Sequence, residues 1–391
     1  MHRFESLTGK ALLFLSFIWL LWFLNFTGRA IFAPVLPLLE DEFHVTHGRA
    51  SSIAALISVG YASSLFFSGV YSSLFGPKKV IVISLMATTC IYLSMLLVKS
   101  FTALYFLGFL LGMATGMYLP NMIYIITEYY SEPIWGRVIA IHDSAASMSI
   151  FGSPFVVLFF MSFVSSWRIM FALLAIVYFV CAVIFALKVE GSQAEQADKK
   201  KQYFQVTLFK RKALWLNGII WIFAAGANLG LYFIIPLYLT KELGISMGEV
   251  NATFGLSRLG GVVSSIVAGF FADRVSLRKT TFTLLLATGA LTVLLAVCDV
   301  RWIKILLFLQ ATIVTGFFPV SLVTVSRMFN KEERGQAMGF VITFGSVFGI
   351  GIIPYLLGLS GDFMSFRVGI LALGVMTALS SVLIIPLKGL K

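Results

Sequence analysis

The sequence contains few charged residues. Lys, Arg, Asp and Glu make up 12% of its 391 residues, against roughly 25% in soluble domains, and this scarcity excludes an ordinary soluble globular protein. Cysteine is rarer still. Cys90, Cys181 and Cys298 lie in apolar runs without metal-site spacing, so we expect small core residues and no metal site. The sequence shows no phosphate-binding loop and no Ser/His/acid set, and we therefore expect neither an enzyme nor a cofactor.

Apolar residues are abundant instead, at 59% of the chain. Apolar runs of about twenty residues, long enough to cross a bilayer as a helix, recur along its length. Backbone polar groups in lipid must be satisfied within the segment, so the runs are predicted to be helices. The fold class is therefore an all-α polytopic membrane protein. The twelve predicted spans are residues 11–38, 50–74, 79–98, 101–128, 137–163, 168–187, 213–239, 249–272, 280–298, 302–326, 336–358 and 367–387.

Basic residues are distributed unequally between the two sides of the membrane. With twelve spans both termini share one side, here called the terminal face, and it receives 20 Lys and Arg residues against 7 on the opposite face. This bias predicts a cytoplasmic terminal face, in a bacterial inner membrane. The net charge of +12 then reflects topology, and we expect no nucleic-acid partner. The basic N-terminus lacks a small-residue cleavage site, so it reads as a retained first helix.

The sequence repeats itself after about 200 residues. Pairs of landmarks share an offset of 199–200 residues, among them Gly69 with Gly269 and Pro154 with Pro354. The only long polar stretch, residues 188–212, separates the copies. The predicted domains are therefore an N-terminal half (1–187), a cytoplasmic loop (188–212) and a C-terminal half (213–391), each half with six helices. We expect a monomer.

The loop motifs resemble those of the major facilitator superfamily. That family's signature between helices 2 and 3 is Gly-x-x-x-Asp-Arg-x-Gly-Arg-Arg/Lys, and residues 269–279 read GFFADRVSLRK. The first half reads GVYSSLFGPKK at residues 69–79, with Ser73 in place of the Asp. The resemblance implies a transporter with two six-helix halves related by pseudo-twofold symmetry, working by alternating access in the lipid bilayer.

Two further resemblances concern subfamilies. Residues 24–43, LNFTGRAIFAPVLPLLEDEF, are similar to the first helix of anion:cation symporters, although many of those have Asp-Arg where this chain has Gly28 and Arg29. An Arg in helix 8, here Arg258, is similar to proton-coupled monocarboxylate carriers, which usually have an acid beside it. Both resemblances imply an anionic substrate.

Few ionisable residues lie inside the predicted hydrocarbon zone, and two of them are the arginines Arg29 and Arg258. Arg258 is nine residues beyond Glu249, or roughly 13 Å into a ~30 Å hydrocarbon core. A charge there is costly, at ~2.5–3.5 kcal/mol on insertion scales, so we expect Arg258 to face a cavity. Arg29 and Arg258 are predicted to bind a small organic anion through their planar guanidinium groups. The alternative is that one or both bond to helix-end carbonyls and serve packing.

Asp143 and His142 are the other ionisable residues inside the predicted hydrocarbon zone. Burial of Asp143 in a low dielectric would favour its neutral form, which suits a group that takes up and releases a proton. The imidazole of His142 can also exchange a proton near neutral pH. We predict proton coupling through one of them. The alternative is that Asp143 caps or cross-links helices.

Six residues are predicted to form gates on the terminal face. The acid at the end of helix 4 would pair with the first-half basic loop, and the second-half loop would close the same face. The alternative for the acid is a proton site. The predicted gating residues are Glu128, Lys78, Lys79, Asp273, Arg274 and Arg278.

Other polar residues fall on helices expected to face a cavity. Each could contact substrate or satisfy a neighbouring helix. These residues are Asn25, Tyr61, Asn121, Tyr124, Asn228 and Tyr232. The glycine repeat of residues 108, 112 and 116 predicts a close-packing helix face.

These features together predict a secondary transporter that moves a small organic anion with proton symport. An exporter of hydrophobic drugs or lipids is the first alternative, and it would tolerate the loss of either arginine. A membrane sensor or scaffold on the same fold is the second, although such proteins usually carry soluble tails. The tails predicted here are only about ten and four residues long.

Overall fold

The computed structural model describes residues 4–190, 206–261, 263–264, 267–268 and 276–387. Helices make up nearly all of this described part, which contains no β-strand beyond one isolated bridge between Phe4 and Tyr130. The first helices are α1 (Lys10–Ala30), α2 (Phe32–Phe43), α3 (His47–Ser51), α4 (Ile53–Phe75), α5 (Pro77–Ser94), α6 (Phe101–Gly116), α7 (Tyr118–Tyr129), α8 (Trp135–Met161) and α9 (Trp167–Lys188).

The remaining helices follow residue 206. They are α10 (Lys212–Ala225), α11 (Leu231–Leu237), α12 (Met247–Leu256), α13 (Leu277–Val297), α14 (Ile303–Met328), α15 (Lys331–Phe344), α16 (Ile353–Phe363) and α17 (Phe366–Ser380). Three π-helical turns continue some of them, at Gly226–Gly230, Tyr238–Glu242 and Gly345–Ile352.

Eleven of the twelve predicted spans are confirmed as helices long and apolar enough to cross a membrane. The remaining one, the eighth span predicted at residues 249–272, lies partly outside the described residues. The eleven are Gly9–Phe43, His47–Phe75, Pro77–Leu97, Phe101–Tyr129, Glu132–Met161, Trp167–Lys188, Lys212–Glu242, Leu277–Val297, Val300–Met328, Glu333–Phe363 and Phe366–Ile384.

The loops on the opposite face share one local device. Each contains a Ser, Thr or Asp whose side chain accepts a hydrogen bond from a backbone N–H at the start of the next helix, which satisfies one of the unpaired helix-end donors. At Asp299 the backbone N–H and the guanidinium of Arg301 lower the pKa of the carboxyl group. The capping residues are Thr46, Ser100, Ser166, Ser246, Asp299 and Ser365.

Contacts between loops agree with the alternating topology. On the terminal face, Arg211 before the seventh span lies 2.8 Å from the carboxylate of Glu333 before the eleventh. The N-terminal Phe4 donates its backbone N–H to the carbonyl of Tyr129, at the end of the fourth span, over 2.8 Å. Each contact joins segments separated by an even number of spans, as a common face requires.

Two further contacts lie on either side of the eighth span. Glu249, which precedes it, accepts a hydrogen bond from Lys304 over 2.7 Å on the opposite face. Arg278, which follows it, donates to the carbonyl of Leu387 over 2.7 Å on the terminal face. Glu249 and Arg278 therefore contact loops on opposite faces, in agreement with a fold of twelve helices.

Residue contacts divide the chain into two compact units. Unit 1 comprises Met1–Val35 and Leu56–Lys199, and unit 2 comprises Leu36–Ala55 and Lys200–Lys391. The segment Leu36–Ala55 thus packs with the second half of the sequence although the predicted boundary places it in the first. The predicted boundary at residues 188–212 stays a prediction.

Glycines allow two helices of unit 1, α4 and α6, to pack closely against each other. A Cβ added to Gly60 of α4 would lie 2.1 Å from the Phe109 carbonyl oxygen of α6, and one added to Gly112 would lie 2.1 Å from the Ile57 oxygen. The two helices therefore meet backbone to backbone, and only glycine fits at either position. The predicted close-packing face is confirmed at Gly112.

The crossing predicts a large effect of Gly112→Ala. The added methyl group overlaps a carbonyl on a second helix, and overpacking of this kind typically costs about 1–3 kcal/mol. We expect a clearly lower midpoint of thermal unfolding for the purified protein in detergent.

Gly136→Ala is the matched control. It lies in α8, and a Cβ at this position would meet no atom within 4 Å. The substitution should leave the midpoint unchanged or raise it slightly, because alanine has the higher helix propensity. Equal midpoints for the two variants would contradict the crossing.

Candidate functional site

Arg29 lies near the end of α1 and stacks on two aromatic rings. Its guanidinium carbon is 3.9 Å from the ring centroid of Tyr61 on α4 and 4.7 Å from that of Phe26. The Nε and Nη2 atoms are buried and have no hydrogen-bond partner among the described residues. The rings compensate part of the charge, and these N–H groups remain available to an anion.

The backbone beside Arg29 explains why Gly28 precedes it. The Gly28 carbonyl accepts a 2.9 Å hydrogen bond from the Tyr92 hydroxyl, and the Tyr178 hydroxyl donates to the carbonyl of Leu24. A Cβ at Gly28 would lie 2.9 Å from the Tyr178 oxygen and 3.3 Å from that of Tyr92. The two tyrosines therefore occupy the space that the Asp of an Asp-Arg pair would need.

Two buried asparagines in unit 1 each form a hydrogen bond through the side-chain nitrogen. Asn25 donates to the carbonyl of Thr115 over 3.1 Å, and Asn121 donates to that of Met117 over 2.7 Å. Neither Oδ1 atom has a hydrogen-bond partner in the described part of the chain. Tyr124 lies one helical turn after Asn121 and is half-buried.

His142 belongs to a buried aromatic stack. Its ring lies parallel to that of Trp22, with centroids 5.7 Å apart, and to that of Tyr118, with centroids 6.2 Å apart. Its Nδ1 atom is buried without a hydrogen-bond partner among the described residues. The imidazole is therefore enclosed by rings of α1 and α7.

Asp143 keeps an accessible side chain inside its span, although neighbouring groups shield its carboxylate from part of its surroundings. Its side chain is exposed, as is that of its neighbour Ser144, whereas His142 is fully buried. The cause is the helical period: successive side chains of α8 point about 100° apart, so only His142 faces the packed interior. His142 and Asp143 are separate groups, as predicted.

Arg258 lies at an interruption of its span. α12 ends at Leu256, and the backbone N–H of Arg258 donates to the Gly255 carbonyl in a tight turn. The predicted helix of residues 249–272 is thus broken at its charged residue, next to glycines that lower the cost of the turn. The interruption turns the guanidinium toward α11 and the preceding π-turn.

The contacts of Arg258 lie on the seventh span. Its Nη1 atom donates to the Oδ1 atom of Asn228 over 3.0 Å, and its guanidinium carbon lies 5.0 Å from the Tyr232 ring centroid. The side chain is only 7% exposed, yet its Nε atom finds no hydrogen-bond acceptor among the described residues. Arg258 is therefore held in place with donor capacity left over.

Asn228 sits in a π-turn that the sequence reading missed. Gly226–Gly230 widens the helix, and Gln310 of α14 donates to the freed carbonyl of Ala227 over 2.9 Å. A Cβ at Gly230 would lie 2.5 Å from the carbonyl oxygen of Gly349, within the π-turn Gly345–Ile352. The glycines at both ends of the turn, Gly226 and Gly230, are the sequence feature that could have indicated it. π-turns are frequent at functional positions.

The predicted gating residues are only partly described. Lys78 and Lys79 lie in the first turn of α5, Glu128 is half-buried near the end of α7, and Arg278 binds the C-terminal backbone. Asp273 and Arg274 lie outside the described residues. The gating roles stay predictions.

Comparison with known proteins identifies a family. The sequence model of the Major Facilitator Superfamily matches residues 18–257 and 225–389. A bacterial homolog of the human lysosomal transporter Spinster, solved in an inward-facing and unoccupied conformation, superposes with a TM-score of 0.82, with 95% of each chain covered and 13% identity. This likeness concerns the fold alone.

Three curated relatives are similar over part of their length. An MFS-type efflux pump of Mycolicibacterium smegmatis is 30% identical over 53% of this chain and 51% of its own. A hexuronate transporter of Bacillus subtilis is 22% identical over 66% and 64%. A probable sulfoacetate transporter of Cupriavidus necator is 25% identical over 69% and 66%. The chain thus spans about half to two thirds of the relatives' lengths.

The contacts of Arg258 predict a cost for Asn228→Ala. The change removes the only side-chain acceptor that the described residues give Arg258, and hydrogen bonds to charged groups contribute about 1.5–3 kcal/mol. We expect a correspondingly lower midpoint of thermal unfolding.

Asn121→Ala is the control, because the Asn121 amide bonds only to a carbonyl of its own helix. Its loss should cost less than about 1 kcal/mol. Similar losses for both variants would show that Asn228 does not hold Arg258.

Proposed function

The chain belongs to the Major Facilitator Superfamily, and we propose that this membrane transporter, which is not an enzyme, carries a small organic anion of the carboxylate type. It would do so by alternating access, with symport of protons. Arg29 and Arg258 would recognise the anion, and Asp143 or His142 would carry the proton.

One observation supports the anion above all others. Arg29 in unit 1 and Arg258 in unit 2 each have at least one buried guanidinium nitrogen without a hydrogen-bond partner among the described residues. No carboxylate of the described residues lies within salt-bridge distance of either. Because guanidinium cannot lose its proton in a protein, an anion is the kind of group that would compensate the charge of each arginine.

The relatives support the same substrate class. A hexuronate transporter and a probable sulfoacetate transporter are both named for organic anions that contain a carboxylate. A bidentate guanidinium–carboxylate pair is strong and directional, so stacked arginines such as Arg29 on Tyr61 suit these solutes. Neutral solutes would leave both charges uncompensated.

Proton symport rests on the groups of α8. Asp143 keeps accessible surface inside a predicted span, and an ionisable residue in such a position usually has a functional role. Neutralising a carboxylate lowers the cost of moving it through an apolar environment. Proton and anion would each shift the equilibrium between conformations by their differential affinity for them.

A second candidate function, export of hydrophobic compounds, is favoured by the efflux pump among the relatives. An exporter of this kind would bind its substrate through aromatic side chains, which this chain has in number, with 38 phenylalanines. The two functions differ in what they require of Arg29 and Arg258, and one ligand screen separates them.

The proposal predicts stabilisation of the purified protein by anions. Glucuronate, sulfoacetate, simple mono- and dicarboxylates and phosphorylated compounds would be compared with neutral and cationic hydrophobic compounds. A ligand at a hundred times its dissociation constant stabilises by about 2.7 kcal/mol, so a bound anion should raise the thermal midpoint measurably. Arg258→Gln and Arg29→Gln should each abolish the increase.

Arg301→Gln provides the control, since Arg301 is exposed and pairs with Asp299. This variant should keep the parent's response. Stabilisation by hydrophobic compounds alone, with both guanidinium variants behaving like the parent, would overturn the anion proposal and favour export.

Proton coupling predicts a separate defect for Asp143→Asn. In proteoliposomes that contain a pH-sensitive dye, adding an anion that stabilises the parent protein should cause proton influx. The amide cannot release a proton, so the variant should still be stabilised by the anion but show at least tenfold less proton influx, a difference of about 1.4 kcal/mol or more. Asp299→Asn on the exposed loop is the control. Parent-like influx for Asp143→Asn would exclude Asp143 as the proton carrier.

A further inference from the structure

The segment that joins the first two spans packs tightly within unit 2. A Cβ at Gly48 of α3 would lie 2.8 Å from a methyl carbon of Leu359, and one at Gly358 of α16 would lie 2.6 Å from the His47 carbonyl oxygen. Ser51 is fully buried at this contact and donates to the His47 carbonyl over 2.8 Å. Helices α3 and α16 therefore touch through their backbones.

A set of charged side chains surrounds this contact. The Nδ1 atom of His47 lies 2.7 Å from Oε2 of Glu40, whose side chain is only 9% exposed. Asp362 of α16 accepts hydrogen bonds from the backbone N–H groups of His47 and Gly48 over 2.7 and 2.8 Å. Two carboxylates on different helices thus meet at one histidine.

Lys241 completes the set from the seventh span. Its ammonium lies 3.7 Å from Glu40 and also binds Asp41. We call Glu40, Asp41, His47, Lys241 and Asp362 the His47 cluster. Its three carboxylates outnumber its one ammonium, so the cluster carries net negative charge even when the imidazole is protonated.

Neighbouring groups at the same face are already paired. The Glu242 carboxylate accepts the backbone N–H of Phe366 over 2.6 Å and lies 3.8 Å from Arg367. The Phe366 ring lies against the His47 ring, with centroids 4.8 Å apart. The charged groups that face His47 are therefore Glu40, Asp362 and Lys241.

We propose that the His47 cluster is a proton-sensitive latch: protonation of His47 holds Leu36–Ala55 against the helices of unit 2, and deprotonation releases it. The cluster lies on the face opposite the termini, which is the extracytoplasmic face if the predicted orientation holds. The latch would make the packing of this segment depend on the pH of that side.

The contacts of His47 determine that acid favours the packed form. An imidazolium must present an N–H to Glu40, whereas a neutral ring can place its one proton on Nε2 and then faces the carboxylate with a lone pair. The packed form therefore binds the proton more tightly than a form in which the carboxylates are apart. Acid favours the packed form, and this advantage is lost as the pH rises through the titration of His47.

The latch is independent of the proposed substrate. None of the residues of the His47 cluster is among those proposed to bind the anion or carry the transported proton. The tests can therefore be done on protein without substrate, and they distinguish failure of the latch from failure of the proposed function.

Cysteine accessibility measures the latch directly. Ser51→Cys would be introduced into full-length protein in which Cys90, Cys181 and Cys298 are replaced by alanine, and its reaction with a membrane-impermeant maleimide would be followed at roughly pH 6 and pH 8. Lys99→Cys, exposed on the same face, corrects for the pH dependence of thiol reactivity. The corrected rate should rise about threefold to tenfold between the two values, as one titrating group allows.

Two variants make the assignment specific. His47→Gln keeps a donor toward Glu40 but cannot titrate, so its corrected rate should be equal at both pH values. Gly358→Ala separates α3 from α16 by steric overlap, so its rate should be high at both. A parent rate that does not change with pH, or a pH response that persists in His47→Gln, would overturn the proposal.

Hydrogen exchange gives a second measurement if Ser51→Cys does not fold. In the unmodified chain, backbone amides of residues 46–52 should be less protected at the higher pH after correction for intrinsic exchange. His47→Gln should remove the difference. Equal protection at both pH values would exclude the latch as clearly as the labelling result.

Discussion

A guanidinium group inside a membrane span cannot become neutral, and this constraint shapes both units. Arg29, on the first span, stacks on Tyr61 of the second. Arg258, on the eighth span, lies beside Tyr232 of the seventh. In the first half the arginine lies on the first helix of the pair and the ring on the second, and in the second half this order is reversed. Asn228, at the position equivalent to Arg29, accepts a hydrogen bond from Arg258. Both halves therefore place a guanidinium beside a tyrosine ring, although the residues that form the pair stand at different positions of the repeat.

Side chains near each arginine form hydrogen bonds to the backbone carbonyls of its helix or of the helix it contacts. In unit 1 the hydroxyls of Tyr92 and Tyr178 bond to carbonyls of α1, which is possible only because Gly28 has no side chain. In unit 2 the helix widens into a π-turn whose freed carbonyl is satisfied by Gln310. A polar group left unsatisfied in a low dielectric is costly, and these supporting bonds satisfy backbone carbonyls close to each arginine.

The sequence predicted what depends on composition and periodicity, and it missed what depends on contacts between distant residues. Apolar length located eleven spans that the structure confirms, and the scarcity of charge singled out Arg29 and Arg258. The uninterrupted helix predicted through Arg258 is wrong, because a helix break depends on neighbouring helices that the sequence of one span does not reveal. The His47 cluster joins residues as far apart as His47 and Asp362, and each alone resembles an ordinary loop residue.

A transporter driven by protons needs its conformational equilibrium to depend on protons on a defined side. Asp143 and the His47 cluster lie in different units, at a span interior and at the face opposite the termini. The protonation of a group that only carries the transported proton depends on whether substrate is bound. The protonation of a group at the face depends on the pH of that side, with or without substrate. Because each can shift the equilibrium only by its own differential proton affinity, the two groups would contribute separately to the pH dependence of the conformational equilibrium.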